Sequence, residues 1–103
     1  MSAESKAPID HIQQRDDYRC TYCGRDGLES LDAWHDCCVD HFKPLSAGGK
    51  DADDNKVTSC HYCNAIKRNQ QFDTVDEARD YIRKRRAELQ VEYEQVRKIV
   101  RGG

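Results

Sequence analysis

The sequence predicts a small α+β domain held together by a bound metal ion, and three features carry that expectation. Two C-x-x-C pairs, Cys20 with Cys23 and Cys60 with Cys63, bracket the middle of the chain. Between them, an apolar stretch ending at Asp40-His41, a Gly48-Gly49 loop and a second short stretch from Lys56 to Ser59 read as a two-stranded hairpin. Beyond them, Val75, Ala78, Ile82, Leu89, Tyr93, Val96 and Val100 recur at helical spacing.

At 103 residues, 37% hydrophobic and 35% charged, the chain fits one domain, residues 1–103, with room for only a thin core. A staple is therefore expected. Two residues between thiolates let both sulfurs of a pair face one ion, and Gly24 after the first pair permits the positive φ of a tight turn. No apolar run approaches membrane-spanning length, and the N-terminus lacks the basic-then-apolar order of a signal peptide. An intracellular, cytoplasmic protein without a membrane partner follows as the expectation, and in that setting the four cysteines read as structural zinc ligands rather than disulfides. No βαβ pattern surrounds either pair, which argues against a redox role.

Residues 1–7 are small and polar and are expected to be mobile. Pro8 opens a short helix over Ile9 to Asp17, in which His11 reads as a surface residue. Arg25 to Asp32 is turn-like. Ala33 to Phe42 reads as a strand, with His35 and Asp36 on its surface and Cys37 and Cys38 on opposite faces, so that both cannot join one zinc site. One of these two thiols is expected to be a small buried filler. Lys43 to Asp54 is a loop, restricted by Pro44 and reversed by Gly48-Gly49; its Asp51, Asp53, Asp54 and Asn55 lack the Gly and distal Glu of a calcium loop. Asn64 to Asn69 begins a helix and completes a β-β-α order.

From Asp40 to Lys67 the chain reads D-H-F-K-P-L-S-A-G-G-K-D-A-D-D-N-K-V-T-S-C-H-Y-C-N-A-I-K. This combination resembles the HNH endonucleases, the ββα-metal nuclease superfamily, over roughly residues 18–69, and Cys20 and Cys23 complete the pattern of its zinc-stapled four-cysteine members. The resemblance implies metal-dependent hydrolysis of DNA phosphodiester bonds, by nicking or double-strand cleavage, leaving 5′-phosphate and 3′-hydroxyl ends. By the same resemblance His41 is the general base, Asp40 and Asn64 hold a catalytic divalent ion, and Asn55 holds the loop and orients His41. Lys67 would contact phosphate or steady the leaving group, with Arg68 beside it. The chemistry suits these types: imidazole exchanges a proton near neutrality, and carboxylate with carboxamide oxygen suits Mg2+ or Mn2+. Asn64 stands where many relatives have His, which favours oxygen-preferring ions at that site. Adjacent strand residues face opposite ways, so Asp40 and His41 can serve one phosphate only if the strand twists or ends there; Pro44 just beyond favours an ending.

The C-terminal extension, residues 75–100, lies outside that motif. Thr74-Val75-Asp76-Glu77 is a capping box, and one long helix from Val75 to Val100 is expected. It carries a basic turn, Arg83-Lys84-Arg85-Arg86, which either contacts phosphate or is merely solvated. Charge is uneven: Met1 to Cys63 holds seven basic and twelve acidic residues, Asn64 to Gly103 ten and seven, for a formal net charge of −2. A polyanion such as DNA would meet the C-terminal half over a small footprint. The helix is too long for this core to cover entirely, so its stripe either folds back over the hairpin, as expected near Val75 to Ile82, or pairs through its distal part, Leu89 to Val100, with a second copy; a homodimer or a larger nuclease assembly is the partner expected. The competing readings are a zinc-bound nucleic-acid or protein interaction module without catalysis, and a nuclease subunit active only within a larger assembly.

Overall fold

The computed structural model describes residues 8–102; residues 1–7, with the mobility expected of them, lie outside that range. Helix α1, His11–Arg15, starts on Asp10, whose carboxylate accepts the Ile12 and Gln13 amides. It is shorter than Ile9 to Asp17, because Asp17 and Tyr18 turn to positive φ and stop it. Asp16 then accepts the Thr58 amide at 2.9 Å and ties the end of α1 to the sheet.

The expected strand over Ala33 to Phe42 divides in two. Its first half is a helix, α2, Leu31–His35, because the Ser30 hydroxyl accepts the Ala33 amide as an N-cap and Asp32 sits in the first turn. The strand β1 is only Cys37–His41. It pairs antiparallel with β2, Lys56–Cys60, in a two-stranded sheet with Cys37 opposite Cys60, Asp40 opposite Val57 and His41 opposite Lys56. The connecting loop turns twice in short 3-10 segments, Leu45–Ala47 and Asp53–Asn55. Gly48 has φ +88°, and a Cβ at Gly49 would collide with the Lys43 carbonyl, so this reversal requires both glycines.

Helix α3, His61–Lys67, follows β2 without a gap, and the Cys60 side chain accepts the Cys63 amide at its start. The long helix α4, Val75–Arg101, begins on Thr74, whose side chain accepts the Glu77 amide, and is capped by Gly102 in the left-handed region. Among the described residues, no helix is long and apolar enough to cross a membrane.

The buried cluster consists of Cys20, Tyr22, Cys60, Cys63, Ala78 and Ile82, with Phe42, Val57, Ile66 and Phe72 packed against it. Three of its six members are cysteines of one tetrad and a fourth lies between two of them. The core is thus the staple itself, closed on one side by the first two turns of α4. The fold is α+β, with a four-cysteine site, a short N-terminal helix and a long C-terminal one.

Candidate metal centre and catalytic depression

The sulfurs of Cys20, Cys23, Cys60 and Cys63 all lie within 4.8 Å of one another. No disulfide joins them. Each pair forms a turn in which the first sulfur accepts the amide of the second cysteine, Cys20 from Cys23 at 3.5 Å and Cys60 from Cys63 at 3.4 Å. Gly24 closes the first turn at φ +79°, donating its amide to the Cys20 carbonyl. The Thr21 amide bonds the Thr58 carbonyl at 2.8 Å and fixes the first turn to β2. Four convergent sulfurs of this kind are positioned to bind a metal ion, and four thiolates are the donor set of a structural zinc site.

Cys37 and Cys38 stay outside the tetrad. Cys37 packs toward the Tyr18 carbonyl and Cys38 toward the Ser59 carbonyl, in the opposite directions that a strand imposes. Burial pushes the Cys38 thiol up to about 11, so it remains protonated and a poor ligand at neutral pH.

The second site is a depression of about 460 Å³ at the end of β1, whose lining includes Asp40, His41, Ser46, Asn64, Arg68 and Asn69. Asp40 and His41 both reach it because His41 is the last residue of the strand; the chain bends at Phe42, held by its amide bond to the Asn55 carbonyl at 2.8 Å. Asn64 enters from the middle of α3. A carboxylate, a carboxamide and an imidazole therefore line one depression, and the first two are the oxygen donors that a hard divalent ion takes.

Asn55 does not line the depression. Its side chain accepts the Lys43 amide at 2.9 Å and donates to the carbonyls of Lys43 at 3.0 Å and Lys50 at 2.8 Å, bridging both ends of the loop. The group that meets the His41 ring is Asp51, with Oδ1 2.9 Å from Nε2. That carboxyl is held below the usual range by the His41 hydrogen bond and by Lys56, 3.2 Å away.

Lys67 is placed otherwise than the sequence led us to expect. Its side chain is wholly buried, and its ammonium lies 3.2 Å from Asp40 Oδ2 rather than facing an incoming phosphate. The same oxygen accepts the Tyr22 hydroxyl at 2.8 Å. Burial, reinforced by the Asp40 charge, pushes the Tyr22 hydroxyl above the ordinary phenol range, so it stays protonated and donates to Asp40. Arg68 is exposed on the rim. The basic turn of α4 does not form one patch, since four consecutive helical residues fan around the axis. Arg83 and Lys84 pair with Asp80, and Arg85 with Glu88 and Glu92. Arg86 turns inward, 3.7 Å from Cys63 Sγ and over the Tyr62 ring at 4.4 Å.

Sequence reasoning did not find Tyr22 and Asp51 as partners of the site. Tyr22 carried a signal, since its place inside C-T-Y-C fixes it to the staple; Asp51 carried none, being one of three acids in a solvated loop. Residues 20–70 match the family model described as HNH endonuclease. No curated protein and no solved structure matches the chain.

Proposed function

Residues 20–70 belong to the HNH endonuclease family, and from that premise we propose that the chain is a metal-dependent endonuclease that hydrolyses DNA phosphodiester bonds at the Asp40 depression. The observation that carries the reading is the convergence of Asp40, His41 and Asn64 on one depression, from β1 and α3, of which β1 pairs with the strand that ends at Cys60 and α3 carries Cys63 of the tetrad. In this reading zinc occupies the tetrad and Mg2+ or Mn2+ is held by Asp40 and Asn64.

His41 acts as the general base, taking a proton from the attacking water. Its Nε2 faces Asp51 Oδ1, so the ring is oriented by a carboxylate that also stabilises the protonated imidazole while it holds that proton. Asn55 keeps Asp51 in reach by bonding the Lys50 carbonyl next to it. Asp40 and Asn64 offer oxygen ligands, and the bound cation supplies charge stabilisation at the phosphate as negative charge develops there. Arg68, exposed at the rim, meets the DNA backbone. The basic turn of α4 is largely answered by acids of its own helix, which fits a nuclease with a small footprint on DNA rather than a tight autonomous binder.

Supercoiled plasmid incubated with the zinc-loaded chain and Mg2+ or Mn2+ tests the reading. Nicked or linear product that a ligase can reseal is the expected result, since it requires 5′-phosphate and 3′-hydroxyl ends. Intact plasmid with either ion would favour the interaction module instead.

A further inference from the structure

Both donors to Asp40 converge on one of its two oxygens. Tyr22 donates to Oδ2, and the Lys67 ammonium lies beside the same atom. Lys67 is further held by the His41 carbonyl at 3.4 Å and by the Phe42 ring, 5.7 Å from its centroid. The Lys67 side chain has no exposed surface, whereas Asp40 keeps 11% of its own. The ammonium therefore backs the carboxylate from inside the protein, and Oδ1 is the oxygen left without these donors.

Both carboxylates around the depression are then offset by a lysine, Asp40 by Lys67 and Asp51 behind His41 by Lys56. Asn64 and Ser46 are neutral, and the remaining charge on the lining is the positive one of Arg68. A dication draws much of its affinity from the net negative charge of its ligands, and a hard ion served by one carboxylate completes its shell with water and substrate phosphate.

We infer that Lys67 is a positioning residue that cancels the charge of Asp40, so that a free divalent ion binds weakly and is retained only together with a phosphodiester. This rests on the assignment of Asp40 and Asn64 to the cation. A lysine with only a structural role predicts the opposite sign: removing it would loosen Asp40 and weaken ion binding.

Binding of Mn2+ to the zinc-loaded full chain, followed by the loss of the free-ion paramagnetic resonance signal and without DNA, separates the two. Lys67→Met and Lys67→Gln, each keeping wild-type zinc content and circular dichroism, are expected to tighten Mn2+ by about tenfold or more. Adding Asp40→Ala to either should abolish the gain. A second arm leaves Lys67 in place: on a His41→Ala background, which blocks turnover, a short duplex is expected to tighten Mn2+ by about tenfold, and Mn2+ to tighten the duplex equally. Unchanged or weaker Mn2+ binding in both folded Lys67 variants overturns the inference. Should neither variant fold, a duplex that binds without altering Mn2+ affinity overturns it. Failure of the nuclease reading looks different: wild type would leave plasmid intact with Mn2+ while the Lys67 variants still gained affinity.

Discussion

Asp51 shows how a solvated loop residue can bear on chemistry. Its carboxyl is exposed, so Asp51→Asn leaves packing untouched, but it removes the charged acceptor that orients the His41 ring. Cleavage is expected to fall about tenfold with zinc content unchanged, because the base loses both its alignment and the carboxylate that stabilises its protonated form. The pH dependence has a definite sign. Since the Asp51 carboxyl is held below its ordinary range, first by the His41 hydrogen bond and then by Lys56, the contact is present above the unfolded carboxylate pKa and is lost as pH falls through the lowered folded value. Ring resonances of His41 followed through an acid titration, in wild type beside Asp51→Asn, check this. Much of the site was legible because Asp40, His41, Asn55 and Asn64 have the right chemistry at recognisable offsets. The pairing of Lys67 with Asp40 and of Asp51 with His41 was not, because partnership across the fold leaves no periodic or spacing signal, and the place of Tyr22 inside C-T-Y-C tied it to the staple without pointing to Asp40.

Among the elements, α4 divides into two parts with different consequences. Ala78 and Ile82 are buried against the tetrad, and Arg79 donates to the Thr21 carbonyl at 2.7 Å. Beyond Arg86 the helix is largely exposed, with Val96 at 60% and Ile99 at 84%. Ile82→Ala should therefore cost about 3 kcal/mol in denaturant unfolding of the zinc-loaded protein, and Val96→Ala less than about 0.5 kcal/mol. The capping box and the 3.6-residue period made this helix readable almost to the residue. The strand assigned to Ala33 to Phe42 was readable only in its second half. Ala33, Trp34, His35 and Asp36 include no β-branched residue, and the Ser30 cap with Asp32 was sufficient to nucleate a helical turn there.

The described chain has a radius of gyration of 16.3 Å, against about 13 Å for a compact domain of this length. The excess reflects α4, 27 residues long and so about 40 Å, projecting past a core that only its first turns help to build. Two expectations follow. Because the core is the cysteine tetrad, a strong chelator should unfold the protein cooperatively as it removes one equivalent of zinc, and Cys38→Ser should leave that equivalent in place; a folded preparation without zinc would contradict the staple. Because residues 87–101 add little to the core, truncation after Arg86 should shift the melting temperature by only a few degrees. If the exposed stripe through Tyr93, Val96 and Val100 pairs with a second copy, the full chain should sediment as a dimer and the truncation as a monomer; monomers in both would leave the stripe unpaired.

The nuclease account is tested most directly by plasmid cleavage with His41→Ala beside wild type, both zinc-loaded and supplied with Mg2+ or Mn2+. Loss of about 10²-fold or more in rate, with zinc content and circular dichroism unchanged, is the expected result for removal of a general base. Cleavage by His41→Ala at the wild-type rate would contradict it.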